Sequence, residues 1–315
     1  MNCLCCGKPM KNPSESGWHA NCIKRFFGTR ILPEIDLSDS TLEQIAQHSA
    51  HKGLTVPGVQ KKLSLHLFSD PKQPRLTFVD YPTGYILKPP VKEYPNMPEA
   101  EHLIMSMADA CGIKTVPHAL IRSKHGYSYI TRRVDRVFHK VQIEKLAMED
   151  FCQLEQRLTR DKYLGSYERC SQVVSQYSSQ NALDQTELFL RLVFCFLTGN
   201  SDMHLKNFSL LETEVGSGTY VLSPAYDLLP VNLILPEDQE QMALTLNGKK
   251  RNIRRKDFLI FAEHSGIKKE TAERMLTFLL KKEPELVRLC DTSLLPENMK
   301  SDLATLIHDR CSSLS

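Results

Sequence analysis

Gly199-Asn200-Ser201-Asp202-Met203-His204-Leu205-Lys206-Asn207 follows a strongly apolar helical run and precedes a short strand pair, so a polar loop is braced on both sides. It sets a carboxylate, Asp202, five positions before a neutral amide, Asn207. Transfer of a phosphoryl group needs a carboxylate to orient the incoming hydroxyl and a neutral oxygen ligand for Mg²⁺. Lys206 is placed to offset γ-phosphate charge, and His204 to hold the loop to its surroundings. A second metal ligand is expected at the end of the following strand. Ser223-Pro224-Ala225-Tyr226-Asp227 supplies it as Asp227, 20 residues beyond Asn207. Mg²⁺ prefers oxygen ligands and completes its shell with phosphates and water, which suits this pair.

Upstream, Tyr85-Ile86-Leu87-Lys88-Pro89 ends a strand with a lysine able to reach α- and β-phosphates once a helix carboxylate holds it. Glu101 on the helix opened by Pro98 is the expected partner, with Glu99 as the alternative. Residues 53–62 mimic a Walker A loop through Gly53 and Gly58. However, Val59 and Gln60 stand where Lys and Ser/Thr are required, and a strand follows instead of a helix. A loop offering backbone N–H groups to phosphates remains the reading of Thr55, Val56, Gly58, Val59 and Gln60. Neither G-x-S-x-G nor H-E-x-x-H occurs, so hydrolase and zinc-protease chemistry has no support.

Strands are expected at Lys62 to Phe68, Leu76 to Asp80, Tyr85 to Leu87, Val116 to Arg122 and Tyr127 to Arg132, with a weak helix at Thr41 to Gln47 and a firmer one from Pro98 to Ala110, stopped by Gly112. Beyond residue 140 the pattern turns helical: Glu144 to Arg157, Cys170 to Tyr177, Gln185 to Leu197, Arg255 to His264, Lys269 to Lys281 and Asn298 to Cys311. One strand pair, Phe208 to Leu211 with Tyr220 to Leu222, interrupts it. The domains so predicted are a Cys/His module over 1–30, a β-rich lobe over 31–135 and a helical lobe over 136–315. Such a pair of lobes suits a nucleotide held in a cleft.

The 315 residues are 41% hydrophobic and 24% charged, the composition of an ordinary globular chain long enough for two domains. A net charge of +3 gives no global case for nucleic-acid binding, and the basic run from Lys249 to Lys256 reads as a solvated helix face. The longest apolar stretch, Leu188 to Leu197, is interrupted by Arg191 and too short to span a bilayer. The N-terminus lacks the apolar run of a secretory signal. The expected location is the cytoplasm; export without a cleaved signal stays open.

Of the ten cysteines, four fall within the first 22 residues. Cys3-x2-Cys6, twelve residues, then His19-x2-Cys22 is a compact four-ligand set suited to tetrahedral Zn²⁺, with Cys5 as a spare thiol. Four protein ligands leave no open position, so such a zinc is structural. The alternative is a reduced, metal-free cysteine cluster.

Four motifs in order, spanning roughly residues 53 to 310, resemble those of the HipA-like toxin serine/threonine kinases. Thr-Val-Pro-Gly-Val-Gln-Lys-Lys at 55–62 resembles the family's phosphate loop, and Ile86-Leu87-Lys88-Pro89 its ATP-lysine strand. The 199–207 loop resembles its catalytic loop, and Leu222 to Leu228 its metal motif. The resemblance implies an α+β, bilobal protein-kinase-like fold, Mg-ATP as cofactor, and phosphorylation of a protein such as an aminoacyl-tRNA synthetase. It implies adenine contacts from the backbone of Arg132 and Val134, and self-phosphorylation at Thr55 or Ser64. Thr at 55 and Pro57 depart from the family's regulatory serine pattern. The short segment before the phosphate loop is similar to HipT-type kinases of split systems, implying a small HipS-like partner and a DNA-binding HipB-like antitoxin. A kinase of small molecules would use the same residues, and a silent binding module would keep the fold alone.

Overall fold

The computed structural model describes residues 1–11, 16–35, 62–68, 70, 72–77, 83–124, 126–139 and 143–315. The expected helix at Thr41 to Gln47 and the loop residues Thr55, Val56, Gly58, Val59 and Gln60 lie outside the described residues. Backbone contacts divide the chain into two compact units, Met1–His102 with Pro117–Arg133, and Leu103–Val116 with Val134–Ser315.

The first unit is built on a six-stranded sheet of order β1-β3-β2-β4-β6-β5. Its strands are β1 (Glu34–Ile35), β2 (Leu63–Phe68), β3 (Arg75–Thr77), β4 (Tyr85–Lys88), β5 (His118–Ser123) and β6 (Gly126–Arg132). All neighbours are antiparallel except β1 and β3. Alternation in β2 buries Leu63 and Leu65 and exposes Ser64, and the register sets Leu63 opposite Leu87 and Leu65 opposite Tyr85. Helix α1 (Ala20–Phe27) ends at Gly28 in the left-handed conformation, φ 76°, whose N–H caps the Lys24 carbonyl. Its Phe26 and Phe27 rings pack against Trp18 and Tyr85. Trp18 donates to the Leu120 carbonyl at 3.1 Å and the Leu120 N–H donates to Leu4 at 2.8 Å, so the N-terminal residues cover edge strand β5.

Helix α2 (Met97–Ala110) starts one residue before Pro98 and stops as expected: Gly112 takes φ 77° and the Ile113 N–H reaches back to the Ala108 carbonyl.

The second unit holds β7 (Arg136–Phe138), β8 (Ile143–Lys145), β9 (Met148–Asp150), α3 (Phe151–Leu154), α4 (Tyr167–Tyr177) and α5 (Asn181–Leu197). There follow β10 (Ser209–Glu212), β11 (Tyr220–Leu222), α6 (Val231–Ile234), α7 (Arg255–His264), α8 (Lys269–Leu280), α9 (Glu283–Thr292) and α10 (Glu297–Leu314). The core runs along α5, where Leu188, Phe189 and every residue from Leu192 to Leu197 are buried. Among the described residues no helix is long and apolar enough to cross a membrane.

Two helix expectations need correction. Glu144 to Arg157 is not one helix: β8 pairs with β7, β9 pairs with β10, and only Phe151–Leu154 is helical. Pairing with a strand some sixty positions away outweighs local helix preference. The Asp150–Gln153 capping box marks the true helix start. Helix α9 was not anticipated, because Pro284 reads as a breaker yet sits in the first turn, where no N–H is needed.

In the first unit, His102 of α2 is buried with its ring 5.2 Å from that of His118, which stacks on Tyr129. Burial, with the His118 charge second, lowers the His102 pKa to about 3. An unfolded histidine titrates near 6.5, so between these values the unfolded chain binds the extra proton and stability falls as pH falls. Going from pH 7 to 5 is expected to cost about 2 kcal/mol through this residue. Urea unfolding at both pH values should show the loss in the wild type and most of it removed in His102→Gln.

Candidate active site

The loop that leaves α5 is held by hydrogen bonds of its own. Gly199 takes φ 68°, and a Cβ there would meet Leu306 Cδ2 at 3.0 Å, so both conformation and space call for glycine. The Asn200 N–H closes the helix end on the Cys195 carbonyl, and its side-chain oxygen accepts from the Asp202 N–H at 3.2 Å. Met203, Leu205 and Phe208 are fully buried and anchor the loop from below. Asn207 donates from its amide nitrogen to the Asp202 carbonyl at 2.8 Å, which leaves its oxygen as the atom that could take a metal. His204 is buried, with Nε2 3.9 Å from Asp202 Oδ1. The Asp202 carboxylate is 40% exposed and accepts from the Tyr163 hydroxyl at 2.5 Å.

Asp227 sits at φ 59°, a left-handed conformation that aspartate tolerates better than most residues. Ahead of it, Ala225 is fixed by two backbone bonds, its N–H to Lys114 and its carbonyl from Val116. The Tyr226 hydroxyl donates to the Lys206 carbonyl at 3.0 Å and lies 2.6 Å from the Ser209 hydroxyl. One phenol thus ties the residue before Asp227 to the residue before Asn207. Lys206 points its ammonium to Asp150 at 2.6 Å, where the same carboxylate caps α3.

Sequence reasoning missed Asp150, Tyr163 and Asp184. Asp184 accepts from Leu222 N–H, Ser178 and Gln180, fixing β11 to the start of α5. Only Asp150 carried a local signal, its capping box.

In the first unit Lys88 and Glu101 form an ion pair at 2.6 Å, 4% and 0% exposed, with the ammonium 5.3 Å from the Tyr129 ring centre. Glu101, and not the alternative Glu99, is therefore the partner. Arg132 ends β6 with its N–H on the Pro117 carbonyl, and Val134 opens the turn into β7. Ser64 is exposed on β2.

The ligand atoms of Cys3, Cys6, His19 and Cys22 lie within 4.8 Å of one another. His19 Nε2 stands 3.3 Å from the Pro9 carbonyl, which can only accept; the proton is therefore on Nε2, and Nδ1 turns its lone pair toward Cys6 at 3.4 Å. Burial pushes the Cys22 thiol up, and the neighbouring thiols add to it, a repulsion that a divalent cation relieves. Burial also raises Cys5, to about 11, keeping that spare thiol protonated. This donor set fits Zn²⁺ at Cys3, Cys6, His19 and Cys22.

Comparison with known proteins gives a consistent result. The family model described as HipA-like C-terminal domain matches residues 54–285. A Haemophilus influenzae protein named "Putative kinase" is 24% identical over 322 residues, covering 92% of this chain and 90% of that one. The Shewanella oneidensis HipA, solved with HipB and operator DNA, superposes with a TM-score of 0.70 at 19% identity, over 82% of this chain and 65% of that one. The Helicobacter pylori proinflammatory kinase CtkA gives a TM-score of 0.53 at 15% identity, over 79% and 93%. At these identities the two structures share the α+β kinase-like fold.

Lys88→Ala strands the Glu101 charge in the core and is expected to cost about 3–5 kcal/mol. Lys88→Met with Glu101→Leu should recover most of it in chemical unfolding. Metal analysis should find about one zinc per chain, lost in Cys3→Ser together with a drop in melting temperature.

Proposed function

Because the chain belongs to the HipA-like C-terminal domain family, we propose that it is an ATP- and Mg-dependent serine/threonine protein kinase of the HipA type. The observation that carries this reading is the 199–207 loop, where Asn207 is clamped to the Asp202 carbonyl and Tyr226 binds the loop to the Asp227 segment. Asp202 orients the acceptor hydroxyl and takes up its proton as the hydroxyl oxygen bonds to the γ-phosphorus and the bond from that phosphorus to the ADP oxygen breaks. The Asn207 and Asp227 oxygens would hold Mg²⁺, which would neutralise charge on the phosphate oxygens of bound ATP. Lys88, kept in place by Glu101, addresses the α- and β-phosphates, with Thr55, Val56, Gly58, Val59 and Gln60 as the phosphate loop and the Arg132 and Val134 backbone toward adenine. Lys206, held by Asp150, offsets charge on the γ-phosphate, and His204 braces the loop.

In this reading the chain is a HipT-type toxin acting in the cytoplasm, its substrate a protein such as an aminoacyl-tRNA synthetase. The Shewanella structure joins HipA to HipB and operator DNA; by analogy a HipB-like antitoxin is a partner here, and the resemblance to split systems adds a small HipS-like protein. Thr55 and the exposed Ser64 are the expected self-phosphorylation positions, and zinc at the four-ligand cluster is structural.

The test is transfer of labelled γ-phosphate from ATP in a bacterial lysate. A discrete labelled protein is expected with the wild type and none with Asp202→Ala, and Asp227→Ala should abolish turnover. Label on small molecules only would replace protein by small-molecule kinase, and no Asp202-dependent label at all would refute the enzyme.

A further inference from the structure

Tyr163 lies in the segment between the short turn Thr159–Asp161 and α4. A surface tyrosine ordinarily leaves its hydroxyl in water. Here the residue is 43% exposed, yet its hydroxyl donates to Asp202 Oδ1 at 2.5 Å. The ring is held edge-on to His204 with centres 5.0 Å apart, and the Lys162 ammonium lies 4.9 Å from its centre. The backbone on both sides is pinned: the Lys162 carbonyl accepts from the Leu205 N–H, and the Gly165 carbonyl from the Thr245 hydroxyl. The side chain can therefore turn away about its own torsions while the segment stays.

An acceptor serine or threonine would offer Asp202 the same group, an O–H donor to one carboxylate oxygen. Two donors cannot share the same lone pair of Oδ1, so an acceptor hydroxyl directed to that position must displace the phenol, which also keeps water from that one position. Burial and the Asp202 carboxylate both raise the phenol's pKa, so it stays a protonated donor.

We propose that Tyr163 is an acceptor-selecting residue: its phenol holds the acceptor's place on Asp202 Oδ1, keeps water from that position, and yields only to a hydroxyl delivered by a bound acceptor. This rests on the reading of Asp202 as the acceptor-orienting carboxylate. Without the phenol, water enters. Its oxygen bonds to the γ-phosphorus as the bond from that phosphorus to the ADP oxygen breaks; its proton passes to Asp202, and ADP and inorganic phosphate leave.

The experiment measures inorganic phosphate release from Mg-ATP by the purified full chain, alongside phosphate incorporated into protein. Tyr163→Phe keeps the ring contacts and removes only the hydroxyl. Its phosphate release should rise about tenfold, the order expected for losing a charge-assisted hydrogen bond. The ratio of released to incorporated phosphate should rise with it, and adding Asp202→Asn should abolish the gain. A merely structural role would lower both outputs together. Tyr163→Leu provides a second test with the same expectation, and a melting curve verifies folding of each variant. Unchanged or reduced release in both variants, with Asp202-dependent incorporation intact, overturns the proposal. Recovery of phosphate on Tyr163 itself also overturns it, since the phenol would then be an acceptor. Absence of any Asp202-dependent output in the wild type removes the kinase reading and this proposal with it.

Discussion

Helix α5 comes to its end with every residue from Leu192 to Leu197 buried, so the polar loop that follows emerges where little water can satisfy it. Each buried polar group there must find a protein partner or cost about 1–3 kcal/mol. This requirement shapes the loop: Asn200 bonds the Asp202 N–H, Asn207 the Asp202 carbonyl, and Ser201 the Asp238 carboxylate. The outcome is a frame that leaves the Asp202 carboxylate 40% exposed and fixes the Asn207 amide through its nitrogen. Tyr226 extends the same logic to the strand end that carries Asp227.

The first unit meets a comparable demand at Lys88 and Glu101. A buried lysine at a strand end is untenable alone, and a buried glutamate on α2 equally so. Their pairing makes each tolerable and fixes the ammonium in one direction. The same unit closes its sheet edge with the N-terminal residues, where Leu4 and Trp18 satisfy both backbone groups of Leu120. The four-ligand cluster lies next to these contacts in sequence, so a metal there would organise a segment too short to build a core of its own.

Residues with a local signature were legible. Gly112 marks a helix end through left-handed backbone, and β2 announces its buried face by alternation. The Cys3-x2-Cys6 and His19-x2-Cys22 spacings anticipated a cluster that the fold does bring together. Asp202 and Asn207 were found through their spacing of five on a braced loop. Glu101 required a choice against Glu99 that rested on which face of α2 meets β4, and the buried pair with Lys88 settled it.

The sequence by itself determined most element types, the ligand spacings and the family motifs, because each depends on residues near one another along the chain. Tertiary structure alone decided the rest. Whether 144–157 forms a helix depended on β10 waiting to pair with Met148–Asp150. That Lys206 faces Asp150, and Tyr163 faces Asp202, depended on side chains 56 and 39 positions apart meeting at hydrogen-bond distance. Such contacts leave no periodicity and no cap in the chain. They arise from how buried elements pack, and from the demand that every polar group carried inward be met.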